Sequence, residues 1–231
     1  MDRLTRKELK TDRFQVETRH VFDYLSEHRQ EAIRYGIAAA VVLVVVLGIY
    51  LYSRYQKNAR YQVLEAALRV YQAPVGSTEP GGYPTRAERD KAAAKAFTGL
   101  LGRYASGDEA TVARYYLGAM AAYDGRYADA EKYLRAAADA GPSAYASLAK
   151  IALAEVYAGQ GKVAEAEKLL RSLMDKPTLF VSKEQAAIEL ARILGPTKPA
   201  EARKLLEPLR TDKRSAVSRN ALTLWAALPS K

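Results

Sequence analysis

The chain has 231 residues, a net charge of +10 and no cysteine. That length holds one membrane span and one modest domain, and the missing thiols exclude a disulfide framework and any thiolate metal site. The charges are spread along many helix faces rather than clustered, which argues for a solvated surface and against nucleic acid as a partner.

Residues 1–34 form a polar tail with eight Lys/Arg against seven Asp/Glu, so almost all the excess charge lies beyond it. Phe14, Thr18, Val21, Phe22 and Leu25 recur every three or four residues. That spacing predicts a short amphipathic helix, fit to lie on a membrane surface or to dock a partner. The two histidines, His20 and His28, are both in this tail. On a helix they stand about 12 Å apart along the axis, too far to share one ion. No metal or cofactor is expected.

From Tyr35 to Tyr52 the chain reads YGIAAAVVLVVVLGIYLY, eighteen residues without a charge, ten of them Ile, Val or Leu. As a helix this stretch is about 27 Å long, close to the thickness of a hydrocarbon core. Tyr35 stands at one end and Tyr50, Tyr52 and Tyr55 at the other, where amphipathic rings suit the two membrane interfaces. The long preceding tail and the absence of a small-residue cleavage motif after Tyr52 separate it from a cleaved signal peptide. Three basic residues near the span precede it and four follow, a local count that runs slightly against a cytoplasmic tail. The tail carries eight in all, and long C-terminal domains translocate largely regardless of charge. The expected orientation is therefore tail inside the cytoplasm and domain outside. A basic domain beside a bilayer also has membrane lipid as a partner.

Residues 54–73 stay in helical register, with Leu64, Leu68 and Tyr71 on one face. Pro74, Gly76, Pro80, Gly81, Gly82 and Pro84 then predict a loop. Thr85 with Glu88, and Ser106 with Glu109, read as capping boxes that start two helices. From Ala110 the chain repeats. Gly125 and Gly161 correspond, as do Ala130, Ala166 and Ala202, at a period of 36 residues. Two helices per unit at such a period mean an all-α solenoid of helical hairpins. The two glycines are expected to end the first helices and the three alanines to let paired helices approach closely. Leu117, Leu134, Leu153, Leu170, Leu190 and Leu206 are expected to fill the seam. A last helix from Ser215 has Val217, Ala221, Leu224, Trp225 and Leu228 on one face, and it should cap the stack with Trp225 as a core plug. The expected divisions are the tail (1–34), a transmembrane helix (35–53), a helical linker with a first helix pair (54–109), and repeats with a capping helix (110–231).

These units resemble tetratricopeptide repeats. The resemblance rests on Leu117-Gly118, Gly125, Tyr127, Ala130, Leu134, Ala137 and Pro142 in the first, and on Leu153, Ala154, Tyr157, Gly161, Ala166, Leu170 and Pro177 in the second. The second has Ala154 where the family usually has Gly, Arg114 and Lys150 replace the early Trp, and the third unit is degenerate, with Pro196, Pro199 and Pro208. The layout of tail, span and divergent repeats is similar to the ancillary subunits of the bacterial Sec translocon. That resemblance implies a periplasmic domain, an inner-membrane location, and other proteins as partners: the translocon, chaperones or secreted chains.

No phosphate loop, HExxH or Ser/His/Asp set is present, so an interaction protein is expected rather than an enzyme. The family resemblance implies a groove lined by first helices. Register places Tyr115, Ala119 and Ala122, then Ile151, Glu155 and Ala158, then Ile188 and Arg192 along it. With no Lys or Asn there, the groove suits an apolar or amphipathic segment and not a carboxylate clamp. The open alternatives are a groove already filled by the domain's first helix or residues 74–84, a permanent structural subunit of a larger membrane complex, and a cytoplasm-facing adaptor.

Overall fold

The structure is a computed structural model that describes residues 29–76, 80–141 and 144–229. The helix expected from Phe14 to Leu25 and both histidines lie outside them. Among the described residues the fold is all-α, as the periodicity implies. The one extended pairing among them is an isolated bridge from Val75 to Tyr83. The chain divides into two compact units, Met1–Asn58 and Ala59–Lys231.

Helix α1 runs Arg29–Tyr71 and crosses that boundary. In the first unit it is long and apolar enough to cross a membrane, and none of its apolar window is buried within the chain. Val41 through Leu47 are all half-exposed or more. A core helix of a soluble protein hides such side chains, because each costs about 1.5–3 kcal/mol when left in water.

The second unit stacks helical hairpins. After the end of α1 come α2 (Arg86–Arg103), α3 (Asp108–Tyr123) and α4 (Tyr127–Ala138). Then follow α5 (Ala144–Gly159), α6 (Val163–Asp175), α7 (Lys183–Leu194) and α8 (Pro199–Leu206). A short 3-10 turn at Glu207–Leu209 leads to α9 (Ser215–Ala227). Thr85 caps α2 as expected, its hydroxyl accepting from the Glu88 N–H at 3.2 Å. The second expected cap is corrected. Gly107, not Ser106, precedes α3, with φ of 102° and no side-chain cap bond. Only glycine holds that backbone cheaply, so it delays the helix start by one residue.

Gly125 and Gly161 do end α3 and α5 in the left-handed region, at φ of 72° and 75°. Behind each, the N–H of the next residue reaches back to a carbonyl of the last turn, Arg126 to Ala121 and Lys162 to Tyr157, both at 2.8 Å. Ala130, Ala166 and Ala202 are fully buried, and so are Leu134, Leu170, Leu190 and Leu206. The tightest approach is at Gly118, where a β-carbon would stand 2.5 Å from Leu134 Cγ. α3 and α4 close to this distance only because Gly118 has no side chain.

Two apolar clusters result. One joins Leu64 and Ala67 of α1 to Phe97, Leu100, Leu117 and Met120. The other runs from the end of α3 to α9. Adjacent residues of α3 serve one each: Tyr116 packs on the first cluster and Tyr115 on the second. Phe97 stacks on Tyr116 at 5.3 Å, and Tyr145 of α5 meets Tyr115 edge-on at 5.5 Å.

α9 covers the end of the stack, but Trp225 is not the plug. Ala221 and Leu228 are the buried residues, while Trp225 lies half-buried at the rim. Its ring is 4.5 Å from the Arg210 guanidinium and 5.6 Å from that of Arg203. A rim position leaves the ring face open to these cations, which a buried plug forgoes.

Gly118→Ala tests the close approach. Helix propensity alone favours Ala by about 1 kcal/mol, yet overpacking against Leu134 is expected to destabilise the chain by about 1–3 kcal/mol. Thermal circular dichroism of the detergent-solubilised chain reads the sign; a raised melting temperature contradicts the geometry.

Candidate protein-binding surfaces

The first helices α3, α5 and α7 lie in succession, so residues one or two turns apart on each form a common face. Tyr115, Ala119, Ala122, Ile151 and Ala158 are partly exposed on it, and Glu155 and Arg192 are exposed. Ile188 is different: it is buried, at 7% exposure, and contributes packing rather than open surface. Tyr71, at the end of α1, places its ring 4.9 Å from Tyr116, beside Tyr115.

The face carries an acidic cluster that the groove register omitted. Glu189, one turn before Arg192, meets it at 2.9 Å. Desolvation lifts the Glu155 carboxyl above its ordinary pKa, and the Glu189 charge adds to this against the pull of Arg192. Glu189 is likewise raised by desolvation, partly offset by Arg192. The Tyr115 hydroxyl is raised first by desolvation and then by Tyr71, Tyr145 and Glu155. Tyr115, Glu155, Glu189 and Arg192 therefore sense one another across three helices. Two carboxylates therefore face one guanidinium on this face, and the part of each carboxylate removed from water disfavours its charge.

Three clefts lie elsewhere, and none of the eight expected groove residues lines them. One of about 640 Å³ has Leu64, Leu68, Val112 and Tyr145 with Asp108 and Glu109 at its edge. One of about 540 Å³ lies near Ser147, Lys150 and Thr178. The third, about 660 Å³, opens between α2 and α4 over the floor of α3. No single helix period reveals such spaces, because each is made by residues missing between helices. No cluster of three or more potential metal ligands occurs among the described residues.

The second helices of the hairpins carry a repeating ion-pair ladder. Glu131 of α4 meets Lys162 ahead of α6 at 3.1 Å, and Glu167 of α6 meets Lys198 ahead of α8 at 3.2 Å. Each glutamate also pairs one turn along its own helix, Glu131 with Arg135 and Glu167 with Arg171. Both carboxyls are held below their ordinary pKa, Glu131 first by Lys162 and Glu167 first by Arg171. The pairs are partly exposed, so solvent screens them and they add little stability; they follow from the stacking of adjacent hairpins in register. The 36-residue spacing of Glu131 to Glu167 and Lys162 to Lys198 was available in the sequence as the signal for them.

The raised Glu155 gives a pH prediction. Its charge destabilises the fold at pH values above its folded pKa, and the penalty vanishes below its unfolded value of about 4.3. Glu155→Gln is expected to raise the melting temperature at neutral pH, with the gain shrinking to nothing as the pH falls below about 4. A gain that persists unchanged at low pH excludes this electrostatic origin.

A family model described as a tetratricopeptide repeat-like domain matches residues 33–213, from the apolar helix to just before α9. No curated protein and no solved structure matches the chain. The match covers most of the sequence, and the hairpin stack, the left-handed glycines at 125 and 161 and the close Gly118–Leu134 packing agree with it. Domains of this kind typically act as non-catalytic modules for binding other proteins, and the chain belongs to the tetratricopeptide repeat-like family.

Proposed function

We propose that the protein is a membrane-anchored interaction module whose repeat domain works outside the cytoplasm, at the bacterial inner membrane. Residues 35–53 span the bilayer, the tail of residues 1–34 stays in the cytoplasm, and the repeats meet secreted or membrane proteins in transit near the translocon. The observation that carries this reading is the exposed apolar helix joined without interruption to a repeat domain. An 18-residue uncharged segment with tyrosines at both ends fits a bilayer and its interfaces. The resemblance in layout to ancillary subunits of the Sec translocon supplies the partner class.

The anchor and its orientation are tested together. A reporter active only outside the cytoplasm, fused after Lys231, is expected to be active. Val44→Arg places a charge near the centre of the span at about 2.5–3.5 kcal/mol, and it is expected to reduce both that activity and retention in carbonate-washed membranes. Activity from a cytoplasm-only reporter at the same position reverses the orientation.

The binding face is proposed to be that of α3, α5 and α7, with Tyr115, Ala119, Ala122, Ile151, Glu155, Ala158 and Arg192 open on it and Ile188 packed beneath. A Tyr, an Ile and small residues beside a partly desolvated acid suit an amphipathic helix or an unfolded chain. Replacing Tyr115 and Ile151 together with Asp is expected to remove crosslinks to partners in membranes while helical content is kept. Unchanged crosslinks in the folded double variant place the partner elsewhere.

A further inference from the structure

The face of Tyr115 and Ile151 continues beyond Tyr115. On α3 the stripe of Asp108, Val112, Tyr115, Ala119 and Ala122 recurs every three or four residues, so these side chains share one side of the helix. Its first turn opens into the cleft of about 640 Å³. The opposite wall of that cleft is the end of α1, through Tyr61, Leu64 and Leu68, and Tyr145 of α5 closes it. Tyr145 also meets Tyr115 edge-on at 5.5 Å, which joins the cleft to the face. Leu64 and Val112 are buried and make an apolar floor, whereas Tyr61 is 62% exposed.

Charge is distributed one-sidedly here. The whole chain has a net charge of +10. Yet the cleft is lined by two carboxylates, Asp108 and Glu109, and by no lysine or arginine. Neither carboxylate belongs to an ion pair among the described residues. Of the bases beside Tyr61 on α1, Arg60 holds its guanidinium 5.4 Å from the Tyr104 ring, and Lys57 stands one turn back toward the span. Further along the face, Arg192 is taken by Glu189 at 2.9 Å, while Glu155 forms no ion pair among the described residues. The dipole of α3 favours Asp108 and Glu109 in its first turn, but that of α5 gives no support to Glu155 in its second half. The charge left over on the open first-helix face is therefore acidic, beside an apolar cleft that no side chain of the domain fills.

We infer that the partner segment taken up by this face is a basic amphipathic helix. An apolar side chain of the segment enters the cleft against Leu64, Leu68 and Val112. Lysine or arginine about one turn away meets Asp108 and Glu109, and a further base faces Glu155. This rests on the reading of the chain as an interaction module, and it gives the partner of that same face its charge. An acidic segment of the same shape meets like charge at both places.

The full chain in phosphatidylcholine nanodiscs is panned against a displayed library of random peptides, with empty nanodiscs removing lipid binders. The enriched peptides are expected to carry Lys or Arg about one turn from Leu, Ile or Phe. Asp108→Asn with Glu109→Gln removes the charge at nearly constant shape, and Tyr61→Ala opens the cleft wall at an exposed site. Each is expected to weaken the peptides about tenfold, and added salt is expected to weaken them on the parent chain. Should the α3 variant lose helical content by circular dichroism, the salt titration and Tyr61→Ala decide. Enriched peptides without an excess of bases, or basic peptides indifferent to either variant, overturn the inference. If such peptides are lost on Tyr115→Ala with Ile151→Ala, the binding face stands and only the partner chemistry falls. Peptides indifferent to all three variants, or no enrichment at all, overturn the face as well.

Discussion

The repeat domain depends on how closely the two helices of a hairpin approach. A hairpin has more apolar face than it can bury alone, so its helices must come near enough to leave a smooth second surface for the next pair. Gly118 against Leu134 sets that distance in the first unit. Ala154, fully buried, stands one period later. With the spacing fixed, Leu134 and Leu170 point into a continuous core instead of separating their own helices. The surface ion pairs follow from the same geometry, since Glu131 reaches Lys162 only when adjacent hairpins stack in register.

The aromatic residues perform a different task. The end of α1 and α2 form one apolar cluster with α3, and the later helices form another. Neighbouring residues of one helix point in different directions, so Tyr115 and Tyr116 project into different clusters from consecutive positions. Tyr145 lies within 5.5 Å of one and 6.2 Å of the other. Tyrosine suits such a join because its ring packs while its hydroxyl can still find a partner, as that of Tyr116 does at Tyr145. The same join brings Tyr115 to the edge of the open face, so packing and recognition meet in one residue.

Much of this fold was legible in the sequence because it repeats. Gly125, Gly161 and the three alanines each announce a geometric need, and the structure places each as that need dictates. What was not legible depended on neighbours in space. Ser106 has the right type for a cap, but Gly107 offers a backbone angle that no composition rule weighs. Trp225 has the size of a plug, but Arg203 and Arg210 hold it at the rim from elsewhere in the chain. On the open face, register placed Tyr115 and Glu155 on the surface, while the burial of Ile188 and the charge of Glu189 emerged only when α7 was set beside α5. Glu189 was one turn from Arg192 in plain view; nothing in the helical period says that its carboxyl turns toward Glu155.

The end of the ladder has a consequence for self-association. At the place of Glu131 and Glu167, the last hairpin has Arg203, which donates to the carbonyls of Leu228 and Pro229 at the close of α9. The stack therefore ends in a guanidinium rather than in a carboxylate ready for another base. A solenoid is open-ended by construction, and copies joined head to tail without closure grow into filaments. With Arg203 engaged by those carbonyls, no carboxylate at this end is left to receive the base of another hairpin, so a further unit has to be joined by a contact unlike those inside the stack.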